Sequence, residues 1–464
     1  MPYARSLARA NDEKPRMNSA SLALAERAAP RYTSYPTAPH FSAAVGPEQT
    51  RQWLGELSDA ATLSLYFHVP FCAEICAYCG CHTKALRQEA PLTVYKETLL
   101  REIELVAAVT RARRVAGIHW GGGTPGMLGP ARFLEISESI ARHFDVGAHT
   151  EHAIELDPRL LAEPLVEALA RAGVNRASLG VQDFNPHVQE AAGRVQPYET
   201  VARAVELLRR AGVEALNFDL MYGLPHQTRE DVARTAALAA GLAPARLAVF
   251  GYAHVPWFKT HQKLIDAAAL AGAAERLAQA EVARETLEAA GYVSIGLDHF
   301  ALPDDPLTRA AREGRMRRNF QGYTTDAADA LLPFGVSSIG RLPQGYVGNA
   351  ADNAGWRRSV EAGRFATTRG LAFTPEDIAR GAVIERLMCD FSVDYGEQAL
   401  AHGFAPDAFD AAAPGLEALV AQGLAEVSGR RVAMTPAGRP FVRLAAAAFD
   451  AYLESGAARH SAAV

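Results

Sequence analysis

Between residues 62 and 251 six short apolar, β-rich runs alternate with alanine- and leucine-rich stretches, and few folds accommodate that alternation. The runs are 62–69 (TLSLYFHV), 116–121 (AGIHWG), 152–157 (HAIELD), 177–181 (ASLGV), 216–221 (LNFDLM) and 246–251 (RLAVFG). Stretches 93–110, 131–143, 160–172 and 199–211 read as helices, with Gly173 and Gly212 placed where glycine commonly ends a helix. Repeated strand–helix units predict a parallel sheet with helices outside it. Such a sheet either stays open and doubly wound or curls into a full or partial barrel.

Polar residues at the strand ends separate the two closures. Glu155 and Asp157 end the third run, Gln182 and Asp183 follow the fourth, Tyr222 and Gly223 the fifth, and Tyr252, Ala253 and His254 the sixth. Asp219 lies inside the fifth run, where a carboxylate needs a partner. Functional groups at many successive C-terminal strand ends suit a barrel mouth better than a single sheet crevice. The predicted fold is therefore α/β: an incomplete parallel barrel of six strand–helix units, an N-terminal extended segment and a small, mostly helical C-terminal domain.

The expected limits are a mobile tail over 1–29, a segment over 30–60 that closes the barrel mouth, the barrel with its substrate-site extensions over 61–364, and the helical domain over 365–464. In the tail, Arg5, Arg9 and Arg16 are offset by Asp12 and Glu13, which reads as a cytoplasmic tail rather than a transit peptide. The last domain reads as a helix over 375–389, short helices near 394–402, 405–411 and 414–423, a wing-like hairpin around Gly429 and a final helix over 436–454. Winged modules often bind DNA, but the net charge of −5 provides no basic field, so nucleic acid is not an expected partner. No apolar run approaches the roughly 20 residues that span a bilayer, so no membrane partner is expected. The chain is expected to act as a monomer.

Four of the five cysteines fall within ten residues (Cys72, Cys76, Cys79, Cys81), and Cys389 stands apart in an apolar helix as a core residue. Clustering of this kind points to metal or redox chemistry rather than to a disulfide framework. Structural zinc sites use two separated CxxC-type pairs, and no second pair exists. A zinc site completed by His68 or His82 stays as the lesser alternative. Three thiolates with gaps of three and two residues suit three corners of a cubane, which leaves the fourth iron open. Cys81 as a further ligand would close that iron, so it is assigned to the motif and not to ligation. Directly after the second strand, Gly121-Gly122-Gly123-Thr124-Pro125 lets backbone approach a ligand closely.

The spacing CxxxCxxC after a first barrel strand resembles the radical S-adenosylmethionine superfamily. One family within it is closer: PRYTSYPT at 30–37, YFHVPFCxxxCxYCGC at 66–81, HWGGGTP at 119–125, IELDPR at 154–159, GVQDF at 180–184, NFDLMYGLP at 217–225, YAHVPW at 252–257, GLDHFA at 296–301 and RNFQGYTT at 318–325 resemble the oxygen-independent coproporphyrinogen III oxidases. The resemblance implies one [4Fe–4S] cluster on Cys72, Cys76 and Cys79, and two bound S-adenosylmethionine molecules. The first would meet Tyr66, Gly122, Glu155 and Ile339. The second would meet Tyr78, Gly123, Thr124, Gln182, Arg194, Asp219 and Ala253. Thr124 stands where the superfamily usually has an acid, which leaves the methionyl amine to backbone carbonyls and Glu155.

The implied reaction is oxidative decarboxylation of two propionates of coproporphyrinogen III to vinyl groups through a 5′-deoxyadenosyl radical, in haem biosynthesis. An electron donor and an electron acceptor are implied as partners, and no catalytic side chain is assigned beyond the cluster and S-adenosylmethionine. Arg31 suits a propionate, since guanidinium forks match carboxylates, and Tyr32 and Tyr35 would help close the mouth over the macrocycle. The run Arg312, Arg315, Arg317, Arg318 reads mostly as a solvated face. The rival reading is a haem-binding chaperone of the same superfamily, which is similar through the cysteine loop but lacks PRYTSYPT and a counterpart of Cys81.

Overall fold

A computed structural model describes residues 19–453. All six predicted runs are strands: β1 (Thr62–Val69), β2 (Arg114–Gly122), β3 (Asp145–Leu156), β4 (Arg176–Gln182), β5 (Ala215–Tyr222) and β6 (Arg246–Gly251). They pair in parallel in that order, with Leu65 opposite Ile118 and Gly180 opposite Asp219.

The sheet then continues past both predicted edges. Beyond β6 lie β7 (Val293–Ile295) and β8 (His299–Ala301), antiparallel. On the other side β9 (Ala330–Phe334) runs parallel to β1, followed by antiparallel β10 (Ile339–Leu342), β11 (Gly345–Asn349) and β12 (Thr367–Ala372). The order is β12-β11-β10-β9-β1-β2-β3-β4-β5-β6-β8-β7. Its outermost strands do not pair with each other, so the barrel is incomplete, as the strand-end argument predicts. The added strands are three to six residues long, too short to display a period.

Alternation along the central strands sets which side chains face the mouth. In β5, Leu216, Phe218 and Leu220 are buried in the main core while Asn217, Asp219 and Met221 point the other way. β4 repeats this with Ala177, Leu179 and Val181 against Ser178, Gly180 and Gln182. The buried face meets α1 (Ala90–Ala107), α2 (Gly129–His143), α3 (Glu163–Arg171), α4 (Tyr198–Arg210), α5 (Arg229–Gly241) and α6 (Ala273–Ala289). Phe67 stacks between Trp120 and Phe334, with ring centroids 4.4 and 4.7 Å apart, which locks β1 between its two neighbours. Fully burying a side chain of this size stabilises by roughly 1.5–3 kcal/mol. The helix expected over 160–172 starts only at Glu163, because Asp157 caps a separate turn over Pro158–Leu160.

Two expected limits shift. β12 belongs to the barrel sheet, so the C-terminal module begins after Ala372 rather than at 365. That module holds a helix over Pro375–Asp390 and a three-stranded sheet in which Ser392–Asp394 joins the predicted hairpin Ala425–Ser428/Arg431–Met434. The last predicted helix is broken: a 3-10 turn over Pro436–Phe441, with Pro440 inside it, precedes a short helix over Val442–Ala447. At the other end, residues 19–29 of the expected tail are packed. Ser19–Ala25 is helical, and Leu24, Ala25, Ala29, Tyr32 and Tyr35 share a core with Val383, Leu387 and Phe449. Positions 1–18 and 454–464 lie outside the described residues. Further along the N-terminal segment, Trp53 and Leu54 enter the barrel core instead. Among the described residues no helix is long and apolar enough to cross a membrane.

Glu102 on α1 is a buried carboxylate that fastens the β9 side of the sheet. It accepts hydrogen bonds from Gly335 N at 2.7 Å, Asn349 Nδ2 at 2.7 Å and Trp356 Nε1 at 3.0 Å. Glu102→Ala leaves the Gly335 and Trp356 N–H groups buried without an acceptor, while Asn349 keeps Gly335 O and Ser338 Oγ, and should cost about 3 kcal/mol or more in denaturant unfolding. Burial lifts this carboxyl to about 7, against 4.5 for the free group. The unfolded chain therefore releases the proton first, and the stability owed to the group declines as pH rises through that interval. The deficit of Glu102→Ala should be larger at about pH 5 than at about pH 8.

Candidate active site

The cysteines occupy the irregular loop that leaves β1. A two-residue parallel pairing, Phe71–Cys72 with Lys84–Ala85, closes the loop at its base. Carbonyls along it are held from outside: Gln262 Nε2 donates to Tyr78 O at 2.9 Å, Lys259 Nζ to Cys81 O at 2.8 Å, and His261 Nε2 lies 2.7 Å from Cys79 O. Ala77 N donates to Ala192 O at 3.1 Å. The loop is thus anchored to the segments after β4 and β6, which the sequence does not announce.

Each of the three expected ligand sulfurs receives at least one hydrogen bond from outside the ligand set. Thr83 Oγ1 donates to Cys72 Sγ at 3.2 Å, Arg194 Nη1 to Cys76 Sγ at 3.5 Å, and the Cys81 backbone N–H to Cys79 Sγ at 3.4 Å. Donors aimed at sulfur suit thiolates. Among the described residues no three His, Cys, Asp or Glu side chains gather round one point as they would round a single ion. Thiols spread along a loop match separate corners of a cubane better than one zinc ion. Cys81 meets Cys79 through both its main-chain N–H and its thiol, and Cys389 is buried as expected.

Next to the loop, the end of β2 lies against Glu155 on β3. Gly122 N donates to Glu155 Oε2 at 3.3 Å, and His119 Nε2 is 3.1 Å from Glu155 Oε1. Gly122 has φ +115°, and a Cβ there would come within 2.8 Å of Val69 O, so only glycine fits. Tyr66 stacks on His119 with centroids 5.9 Å apart, and its hydroxyl is 3.0 Å from His68 Nδ1. Burial, with Glu155 nearby, pushes the Tyr66 phenol well above its ordinary value. Thr124 turns inward, its Oγ1 accepting from Asp157 N at 3.1 Å, so from this position only main-chain groups face outward. Ile339 opens β10 at the same rim.

Across the mouth stand the residues expected at a second ligand. Asp219 accepts from Ser178 Oγ at 2.8 Å and from Asn217 Nδ2 at 3.1 Å, and burial pushes its carboxyl up to about 6. Gln182 ends β4 with φ +67°, a conformation few non-glycine residues hold. Arg194 bridges Cys76, Asp157 at 3.3 Å and Gly180 O at 2.8 Å, yet its Nε is buried without any partner. An unanswered guanidinium N–H beside the cysteine loop fits an incoming carboxylate. Tyr78 and Gly123 lie in the loop and the glycine turn, and Ala253 just past β6. The structure thus brings all eleven expected S-adenosylmethionine contacts to one rim.

Tyr32 and Tyr35 are placed differently. Both are buried, with Tyr32 Oη donating to Asp450 at 2.9 Å and Tyr35 Oη accepting from Ala451 N at 3.0 Å. These hydroxyls tie the N-terminal segment to the C-terminal module instead of facing a substrate. Arg31 does reach the mouth, with Nη2 3.5 Å from Gly251 O.

Residues 66–239 match the model of the radical SAM superfamily, and residues 373–441 match the HemN C-terminal domain. The oxygen-independent coproporphyrinogen III oxidase of Bradyrhizobium diazoefficiens is 47% identical over 445 residues, covering 96% of this chain and 99% of the relative. The enzyme of that name from Paracoccus denitrificans is 43% identical, covering 96% and 98%. The chain belongs to the oxygen-independent coproporphyrinogen III oxidases. The solved coproporphyrinogen III oxidase of Escherichia coli, described as a radical SAM enzyme, superposes with a TM-score of 0.87 at 37% identity, covering 91% of this chain and 98% of that one.

A member of this superfamily uses a [4Fe–4S] cluster and S-adenosylmethionine, and the three sulfurs with their donors fit the cluster. Alanine at Cys72, Cys76 or Cys79 should each abolish retention of a full cluster. Cys81→Ala keeps the N–H that meets Cys79 and should retain it. Iron and sulfide content with visible absorption after anaerobic reconstitution would measure both outcomes.

Proposed function

We propose that this chain converts two propionates of coproporphyrinogen III to vinyl groups without oxygen, giving protoporphyrinogen IX for haem. Full-length similarity to enzymes of that name carries the reading, and the convergence of three thiols, Glu155, Arg194 and Asp219 on one rim supports it. When bound, the cluster and S-adenosylmethionine supply the 5′-deoxyadenosyl radical that takes hydrogen from a propionate side chain.

The chain's own residues do the rest. Cys72, Cys76 and Cys79 hold the cluster and leave one iron open. On the β1–β3 side, Glu155 and the Gly122 turn meet the first S-adenosylmethionine, with Tyr66 and Ile339 against its flanks. On the β4–β6 side, the free Nε of Arg194 meets the carboxylate of a second molecule, which Tyr78, Gly123, Thr124, Gln182, Asp219 and Ala253 enclose. Arg31 is the substrate-facing residue of the N-terminal segment. The enzyme works as a cytoplasmic monomer that takes electrons from one carrier and passes them to another acceptor.

Anaerobic incubation of reconstituted protein with coproporphyrinogen III, S-adenosylmethionine and dithionite should yield divinyl product. Intact cluster without vinyl product would refute the substrate assignment. Equilibrium dialysis should find two S-adenosylmethionine molecules per chain and about one in Arg194→Gln. A wild-type value of one would refute the second site.

A further inference from the structure

Arg31, Arg276, Arg318 and Arg443 come together at the mouth from four separate parts of the chain. Arg276 on α6 donates through Nη1 to Tyr252 O at 2.8 Å and lies over the Tyr222 ring, 5.6 Å from its centroid. It occupies space left by two glycines at strand ends: a Cβ on Gly223 or Gly251 would come within 2.5 or 2.9 Å of its guanidinium. Arg31 reaches Gly251 O beside it. Arg318 follows, with Nη2 3.4 Å from Arg31 O and its guanidinium 4.3 Å from the centre of the Tyr323 ring. Arg443, from the C-terminal module, donates through Nε to Pro30 O at 2.9 Å. Burial and the charges of Arg31 and Arg318 push Arg443 down to about 10, which places the three guanidiniums in one field.

Among the described residues, Arg31, Arg276 and Arg318 form no salt bridge. The Arg31, Arg276 and Arg318 side chains donate to main-chain carbonyls. Asp298 is the carboxylate in their field, and it is already bonded to His299 Nδ1 at 2.7 Å. Most telling, Arg318 Nε and Nη1 are buried without any hydrogen-bond partner. Its neighbours in the sequence behave otherwise: Arg315 pairs with Glu313, and Arg317 with Glu385 at 2.9 Å. Half-buried guanidiniums held close together round a single, already bonded carboxylate are unfavourable unless a further anion joins them.

We propose that these four arginines form the binding site for the substrate's non-reacting carboxylates, with Arg318 as the principal fork and Arg276 and Arg31 beside it. The inference rests on the porphyrinogen reading above and adds the groups that select a polycarboxylate.

The test uses reconstituted full-length protein and two probes, coproporphyrin III and its tetramethyl ester, titrated by fluorescence in the same mild detergent. Wild type should prefer the tetra-acid. Arg318→Gln should weaken tetra-acid binding about tenfold or more while leaving the ester unchanged. Arg318→Lys should recover part of the loss, and Arg317→Gln should behave as wild type. Cluster absorption and thermal unfolding check that each variant is folded. Unchanged tetra-acid binding in both Arg318→Gln and Arg276→Gln would overturn the inference. Equal weakening of acid and ester would overturn it as well, since that marks a shape defect rather than lost charge. Failure of wild type to bind either probe or to form vinyl product would instead count against the porphyrinogen reading itself, and the inference falls with it. Normal wild-type turnover with tetra-acid binding unaffected in both Arg318→Gln and Arg276→Gln removes the inference alone.

Discussion

The contact between Arg194 and Cys76 joins the cysteine loop to the strand ends of the barrel. The cysteine loop has little regular structure, so its shape depends on outside partners. β3 and β4, by contrast, are fixed by parallel pairing and by core residues such as Leu156 and Leu179. Arg194 follows β4 and reaches Cys76, Asp157, Gly180 and Gln196 at once. Arg159 and Arg194 hold the Asp157 carboxyl below its usual range in spite of burial, so the anchor stays ionised. Ionised hydrogen-bond partners are the stronger kind, and here they set the distance between the loop and the barrel. The same guanidinium keeps one N–H in reserve at the rim.

Much of this was readable in the sequence because period-two alternation survives in β4 and β5. Asn217 and Asp219 fall on the face opposite Phe218, so a carboxylate inside an apolar run marks the strand face turned away from the main core. The thiol spacing and the glycine turn are local, and they too could be read directly. What could not be read depends on long-range placement. β7 to β12 are short and mostly antiparallel, and β9 reaches β1 only by a crossover of over two hundred residues. Tyr32 and Tyr35 looked like mouth residues because they flank Arg31, but their partners lie more than four hundred positions away. Arg276 sits in a helix with no distinctive motif, and only the two glycines it covers, Gly223 and Gly251, gave a signal. That signal has meaning only once the strand ends are in place.

The packing of the N-terminal segment into the C-terminal module also explains how the mouth is built. Arg31 is held between buried neighbours on both sides, since Pro30 is buried and Tyr32 belongs to a core completed by Phe449 and Leu387. Arg443 bonds to the carbonyls of Ala29 and Pro30. The module therefore fixes the main chain from which Arg31 projects, and it contributes a charge of its own. A chain cut before the module would keep the cluster loop and most of the barrel core, but its rim would lose that support.

The rim as a whole is polarised. Glu155 and Asp219 face inward near the loop and the central strands, while Arg31, Arg276, Arg318 and Arg443 face it from beyond β5 and β6. S-adenosylmethionine carries a sulfonium and an ammonium, and a porphyrinogen with four propionates carries four negative charges near neutral pH. On the proposed reading each would be drawn to the opposite charge, so electrostatics alone would order the two ligands across the mouth before any specific contact forms. The glycines serve both sides through the same property. Without a Cβ, Gly122 lets main chain approach Glu155, and Gly223 and Gly251 let a guanidinium lie across the ends of β5 and β6. Strand ends stripped of side chains thus leave room on one side for a cationic ligand and on the other for the cations that meet an anionic one.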